Sequence, residues 1–420
     1  LATVRSGEYE GLKEKLAMPE WNPDFGPAEF VPRTGAIAVG ARDFLVAYNT
    51  NLNTTSTRRA NAIAFDVRER GRTKREGNTI TGKIVKGADG KPVMIPGSLK
   101  QVKAIGWYIE EYGVAQISMN LTNISITPVH VAFDEVCKRA NERGIRVTGS
   151  ELVGLVPLNA MLDAGRYFLK KQHRSTGVSD SELIKIAVKS MGLDELGPFK
   201  PEEKIIEYQL KKGEGKALVD MTLGAFMEET SSESPAPGGG SVSAYMGAMG
   251  VALATMVANL SSHKRGWDER WEEFSDWADK GKAIQERLLH LVDEDTRAFN
   301  EIMAAFGLPK KSPDEQKTRK QAIESATLHA IKVPFEVMMV AFAGFEVAEA
   351  MAGTGNPNSV SDAGVGALAL LACMEGAWLN VKINGADLST HADVLKILKE
   401  GEELLKSGRS SKEQIIELVH

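Results

Sequence analysis

From Val242 to Leu260 the chain runs 19 residues without a charged side chain. Most are Ala, Gly, Ser and Met, with few Leu. A helix that is apolar all round must be covered on every side. The run reaches the length of about 20 residues that a bilayer span needs, but its small residues and Asn259 near its end mark a buried helix and no membrane span. In a domain of moderate size, such burial implies a dimer interface through this helix, with small residues allowing close approach. The run follows Ser234-Pro-Ala-Pro237-Gly238-Gly239-Gly240-Ser241. These prolines and glycines remove side chains and set the backbone. Ahead of a helix, such a loop presents bare N–H groups to an anionic or polar ligand. An ordinary turn has the same composition, so both readings stay open here. No Gly-Lys-Ser/Thr follows, and the spacing is not that of a dinucleotide fingerprint.

The 420 residues suffice for two or three domains. A net charge of −5 gives no reason to expect nucleic acid as a partner. Two cysteines, Cys137 and Cys373, exclude a disulfide framework and fit a reducing cytoplasm. No signal peptide is evident, and the seven histidines show no metal-ligand spacing. Residues 1–44 are irregular, with Pro23, Pro27 and Pro32 between Trp21 and Gly35. A strand is expected at 44–49, a helix at 57–70, and an exposed, hairpin-like basic insertion over 71–100. Lys83, Lys86, Lys91, Lys100 and Lys103, in or near it, could attract an anionic substrate tail. Strands at 101–109, 114–121 and 145–149, with helices at 128–143, 157–171 and 181–191, imply an α/β sandwich with a mixed sheet. Lys211–Lys216 reads as a linker. Every periodic segment beyond 220 is helical: 220–231, 241–260, 268–305, 313–345 interrupted at Pro334, 359–381 and 391–418. The second half is therefore an all-α bundle.

Asp295 is the sharpest single signal. Ile284, Leu288, Leu291, Val292, Phe299 and Ile302 form one stripe at spacings of three, four and seven, and Asp295 falls within it. A carboxylate on a buried face is costly unless paired or functional. Desolvation would raise its pKa and suit it to proton transfer; an ion-paired structural aspartate is the alternative. Asp362, in Gly355-Asn-Pro-Asn-Ser-Val-Ser-Asp-Ala-Gly364, lies just inside a helix start. There it is either an ordinary first-turn residue or a ligand for the polar edge of a heterocycle. Asn380 and Asn384 are four apart on one helix face, and two amides in a core-like helix need partners.

Several stretches together resemble known families. Pro235–Val242, Leu291–Asp295, Ser361-Asp362 and Asn380–Asn384 resemble the cyclodeaminase domain, which is also cyclohydrolase-like. Arg5–Glu10, Asp24–Pro27, Gly40–Arg42, Ile105–Tyr108 and Gly149–Pro157 resemble glutamate formiminotransferase. In this order they resemble the bifunctional formiminotransferase-cyclodeaminase family of histidine degradation. The resemblance implies a tail of the transferase's first subdomain at 1–44, its second subdomain at 45–210, a linker at 211–219 and the cyclodeaminase at 220–420. It implies transfer of a formimino group from N-formiminoglutamate to N5 of tetrahydrofolate. N10 then closes onto that carbon with loss of ammonia. One carboxyl of raised pKa can serve as base and then acid, a role the resemblance gives to Asp295. Folate contacts fall on Gly26, Pro27, Ala28, Glu29, Phe30, Val31, Pro32, Arg33, Thr34 and Gly35 in the transferase part. In the helical part they fall on Pro237, Gly238, Gly239, Gly240, Ser241, Asp362, Asn380 and Asn384, the loop, Asp295 and Asp362 converging. Homo-oligomers formed through the helical domain, polyglutamylated folate and a cytoplasmic setting are also implied.

Two departures stand out. The family's His-Pro-Arg motif of the first subdomain does not occur, so this chain should not transfer the formimino group unaided. The rest would be cleaved off, left out of this sequence or carried by a separate chain. The basic insertion over 71–97 is longer than in the vertebrate fused enzyme and more typical of bacterial transferases. Two other functions remain in view: a methenyltetrahydrofolate cyclohydrolase, and a non-catalytic folate-binding or assembly subunit.

Overall fold

The structure, a computed structural model, describes residues 3–4, 6–41, 43–211 and 217–420. Arg5 and Arg42 of the quoted motifs, and the linker from residue 212 to 216, lie outside them. Contacts along the chain divide it into two units, Leu1–Leu155 with Glu195–Gly197, and Val156–Asp194 with Pro198–His420.

In the first unit a helical turn, α1 (Leu12–Leu16), precedes a mostly exposed irregular stretch. The elements that follow are β1 (Val46–Leu52), α2 (Thr57–Val67), the two-residue β2 (Arg72–Thr73) and β3 (Met94–Ile95), β4 (Val102–Ile109), β5 (Val114–Leu121), α3 (Val129–Asn141) and β6 (Val147–Val153). The main sheet has the order β4-β5-β1-β6, and all its pairings are antiparallel. The expected mixed sheet is thus corrected. Each helical crossover joins two parallel strands, but an antiparallel strand lies between them: β5 separates β1 from β4, and β1 separates β5 from β6. This is the split β-α-β arrangement. The expected hairpin over 71–100 forms, with β2 paired to β3 and further bridges at Arg75–Ile84 and Lys86–Pro92.

Strand alternation sorts the two faces of the sheet. Val46, Tyr48, Ile117, Met119, Leu121, Val102 and Ala104 are buried on one face, with Ala60, Ile63, Ala64 and Val67 of α2 and Ala132, Val136 and Ala140 of α3 in the same core. A Cβ at Gly106 of β4 would lie 2.3 Å from the backbone nitrogen of Asn61. The Asn61 amide instead clamps that glycine, accepting from its N–H at 2.9 Å and donating to its carbonyl at 3.0 Å. The other face is polar. Trp107 Nε1 donates to Gln116 Oε1, Gln116 Nε2 to Asn51 Oδ1, and Asn51 Nδ2 to Glu195 Oε2. Asn51 and Gln116 are fully buried, so this chain of bonds satisfies groups that would otherwise be costly. It also ties the Glu195–Gly197 loop to the sheet.

The second unit holds α4 (Leu158–Lys171), α5 (Asp180–Met191), α6 (Pro201–Lys204), α7 (Ile206–Lys211), α8 (Leu223–Thr230), α9 (Gly239–Ser262), α10 (Trp271–Phe306), α11 (Pro313–Thr354), α12 (Val360–Gly385) and α13 (Ala392–Val419). The turn between α4 and α5 is fastened to the bundle. Thr176 N–H donates to Ser275 Oγ at 3.0 Å, and Asn259 Nδ2 donates to the Gly177 carbonyl at 2.8 Å.

α9 packs against α10, α11 and α12. Small residues permit this. A Cβ at Gly250 would lie 2.7 Å from the Gly366 carbonyl oxygen, and a Cβ at Gly366 would lie 2.6 Å from that of Gly250. Helices of the same chain supply most of the burial of α9. One stripe stays open: Met249, Met256 and Leu260 of α9 are exposed, as are Val365 and Leu368 of α12. Two helices, Gly239–Ser262 and the run Pro357–Leu388 containing α12, are long and apolar enough to cross a membrane by length and composition. Both contribute many buried residues to the helical core.

The expected interruption at Pro334 does not occur, and α11 is continuous from Pro313 to Thr354. Proline removes one helical N–H and frees the carbonyl four residues earlier. That carbonyl, of Ala330, accepts from Asn384 Nδ2 of α12 at 2.8 Å.

The Gly250–Gly366 contact has a direct test. Gly250→Ala should force α9 and α12 apart and destabilise the protein by about 1–3 kcal/mol, read as a lower urea midpoint. An unchanged midpoint would show that the helices separate without cost.

Candidate functional site

The N-terminus of α9 organises the site. Its cap residue, Gly238, offers no side-chain acceptor, so the first N–H groups of the helix need partners from elsewhere. Asp295, on α10, supplies one. Its Oδ2 accepts from the Ser241 backbone N–H at 2.9 Å and lies 3.1 Å from Ser241 Oγ. The Ser241 hydroxyl is also 2.9 Å from the Val292 carbonyl. It has one proton for these two acceptors, and an ionised carboxylate is the stronger one.

Gly240 makes the approach possible. A Cβ there would sit 2.1 Å from Asp295 Oδ1, so any side chain would displace the carboxylate. The Ala236–Pro237 peptide is cis. Burial raises the Asp295 carboxyl above its usual pKa, and hydrogen bonds from Ser241 oppose this without reversing it. Leu288, Leu291 and Val292 are fully buried, whereas Phe299 is 38% exposed. The stripe read from the sequence therefore buries Asp295 on one side and opens beyond it.

It opens into a cavity of about 130 Å³ lined by Pro235, Ala236, Gly238, Gly239, Gly240, Asp295, Thr296, Phe299, Ile302, Ala330, Asn380 and Asn384. That volume is below the roughly 300 Å³ of a typical ligand pocket, so it suits the reacting end of a larger molecule. Asn380 and Asn384 both reach it from α12. Asn380 Nδ2 donates to the Gly376 carbonyl at 3.0 Å and Asn384 Nδ2 to that of Ala330. The partners that two core-facing amides require are thus main-chain carbonyls.

Of the residues singled out from sequence, Gly238, Gly239, Gly240, Asp295, Asn380 and Asn384 line this cavity, and Ser241 holds Asp295. Pro237 is adjacent in sequence but not in the lining. Asp362 is a correction: it does not join them. It lies on α12, 18 residues before Asn380, which at 1.5 Å per residue is about 27 Å along the helix. Its place in the first turn of α12 fits the simpler helix-start reading. Gly26 to Gly35 belongs to the first unit and is almost wholly exposed. Tyr9 packs against Phe30 there and its hydroxyl donates to the Pro32 carbonyl at 2.8 Å.

A second cavity, of about 400 Å³, lies in the first unit and was missed from sequence. Arg58, Arg68, Arg72 and Arg75 line it, with Phe65 and Ile80 as apolar wall. Arg72 pairs with Asp66 at 3.2 Å. Arg68 lies over the Phe65 ring, and burial together with the nearby Arg70 charge lowers its pKa. The lysines noted from sequence are exposed and do not line this cavity. The missed signal was the arginines, which α2 and the hairpin bring together from separate stretches.

Comparison with known proteins covers nearly the whole chain. Residues 222–403 match the family model "Formiminotransferase-cyclodeaminase", residues 47–211 "Formiminotransferase domain", and residues 1–42 its N-terminal subdomain. A formimidoyltransferase-cyclodeaminase of Gallus gallus is 40% identical over 96% of this chain and 72% of its own length. A methenyltetrahydrofolate cyclohydrolase of Methylorubrum extorquens is 35% identical over 47% of this chain and 95% of its own. A glutamate formimidoyltransferase of Streptococcus pyogenes is 36% identical over 40% of this chain and 48% of its own.

Ser241→Ala removes a donor to the ionised form of Asp295, so the Asp295 pKa should move further up. Carboxyl-carbon NMR titration would register this as a midpoint at higher pH. A downward shift would mean that Ser241 does not stabilise the carboxylate.

Proposed function

This chain belongs to the formimidoyltransferase-cyclodeaminase family, and we propose that the Asp295 cavity is its cyclodeaminase centre, forming 5,10-methenyltetrahydrofolate and ammonia from 5-formiminotetrahydrofolate. The protein is an enzyme of folate-dependent histidine degradation and acts on tetrahydrofolate derivatives, with formiminoglutamate as the formimino donor. The observation that carries the site assignment is a carboxyl of raised pKa, held at a bare helix N-terminus and opening into a cavity.

The reaction needs N10 to lose a proton and the departing nitrogen to gain one. Asp295 removes the first and delivers the second, at a pKa raised toward neutrality for both tasks. Gly238 to Gly240 allow a flat ring to approach bare backbone, and Phe299 and Ile302 provide apolar contact. Ser241 orients the carboxylate. A cyclohydrolase reading has support from the bacterial relative that matches the helical half. Relative turnover of the formimino and methenyl substrates separates the two.

For the domains we keep 1–44, 45–210, 211–219 and 220–420, supported by the bounds of the three family matches. In the transferase part, an α/β sandwich by this reading, Gly26 to Gly35 contacts folate. The arginine-lined cavity takes the carboxylates of a polyglutamyl tail. The exposed stripe of Met249, Met256 and Leu260, with Val365 and Leu368, pairs with a second copy of the chain. The cytoplasm is the setting.

Asp295→Asn should fold normally, because an amide oxygen can still accept from Ser241, and should abolish methenyltetrahydrofolate formation. In the parent protein, activity should rise with pH through a midpoint above the ordinary aspartate value of about 3.9, as Asp295 ionises to act as base. Near-parental turnover by the Asn variant would remove Asp295 from the chemistry. Arg58→Ala and Arg75→Ala should weaken binding of polyglutamyl folate at least about threefold while sparing the monoglutamate, since each removes one screened charge contact. Equal affinities in parent and variants would place the tail elsewhere.

A further inference from the structure

The cavity beside Asp295 has an unusual polarity. Asn380 and Asn384 both commit their amide nitrogens to main-chain carbonyls, those of Gly376 and Ala330. Among the described residues neither amide oxygen has a hydrogen-bond donor, and both side chains line the cavity. Asp295 Oδ2 is held by Ser241, while its Oδ1 has no hydrogen bond among the described residues. No lysine, arginine or histidine is in the lining. Asp295, Asn380 and Asn384 therefore offer three oxygen acceptors beside the Thr296 hydroxyl, and no lining side chain is a cation.

The orientation of Asn384 has a cause outside the cavity. Its Nδ2 donates to the Ala330 carbonyl, which Pro334 leaves without a helical N–H. A residue with an N–H at position 334 would give that carbonyl a partner within α11. The Asn384 amide would then share its acceptor with that N–H and be held less firmly.

We propose that Asp295, Asn380 and Asn384 form a receptor for a protonated, N–H-rich nitrogen, and that Pro334 and Asn384 are positioning residues that set its acceptor character. This rests on reading the cavity as the cyclodeaminase centre. The group received is the exocyclic nitrogen of the amidinium substrate, which carries two N–H bonds. As N10 bonds to the formimino carbon, the bond from that carbon to the exocyclic nitrogen breaks. The N10 proton passes through Asp295 to that nitrogen, which leaves as ammonia, and the positive charge stays on the methenyl product. The two amide oxygens hold the two N–H bonds while Asp295 delivers the third hydrogen. In hydrolysis this place receives a neutral water instead, and the positive charge of the methenyl substrate is shared by N5 and N10 rather than borne at the leaving nitrogen. The receptor thus favours loss of ammonia over hydrolysis.

The test uses the full chain and the variants Asn384→Ala and Pro334→Ala, with both reactions assayed. Losing one bond to a charged donor should lower kcat/KM for the formimino substrate about tenfold or more. Hydrolysis of methenyltetrahydrofolate should change less than about threefold on the same grounds. Ammonium chloride should raise the parent's melting temperature above that in potassium chloride of equal strength, and the difference should vanish in Asn384→Ala. Equal loss of both reactions in Asn384→Ala would make Asn384 merely structural and overturn the receptor. An unimpaired Pro334→Ala would overturn the positioning role of the proline. A parent protein that performs neither reaction yet shows the ammonium effect would sink the cyclodeaminase reading and leave the receptor standing. Absence of the ammonium effect in the parent would sink the receptor itself.

Discussion

The contact between Asp295 and the first turn of α9 is the constraint on which the helical half depends. A helix beginning at Gly238 has no side chain of its own to cap it. An acceptor on another helix completes it, and that acceptor is ionisable and largely removed from water. Helix dipole and hydrogen bonds favour the charged form, while desolvation opposes it. The same arrangement requires Gly240, since any side chain there would occupy the space of the carboxylate. Fold and chemistry thus share one set of atoms, and the glycines serve packing as much as ligand access.

Asp295 was legible from sequence because helical spacing is local: one stripe of apolar residues located it without knowledge of the neighbours. Asn380 and Asn384 were legible for the same reason. Asp362 was not placed correctly, because a shared motif says nothing of distance, and α12 sets it 18 residues from Asn380. The position of Pro334 was visible but its effect was not. A local rule calls for a break, and a side chain 50 positions further on, Asn384, removes the need for one.

Other features were non-local in the same sense. Every strand of the main sheet was found in outline, yet the pairing depends on which strand fills the gap left by each crossover. The apolar α9 announced its burial but not what covers it. Gly250 and Gly366 meet across 116 positions of sequence, so the helix that read as an interface element is also packed at the centre of its own chain's bundle. The arginine cavity depends likewise on a helix and a hairpin that composition treats separately.

The turn at Thr176 and Gly177 bears on how the helical half can be handled by itself. Its bonds to Ser275 and Asn259, with the Lys282–Asp180 ion pair, make α4 and α5 part of the bundle's surface lining. A protein expressed from about residue 217 would follow the family boundary but bare the buried Ser275 hydroxyl and the sides of α9 and α10 to solvent. One begun at Val156 would carry its own cover. The sensible place to divide this polypeptide for expression is thus set by hydrogen bonds, more than fifty residues before the seam that inheritance suggests.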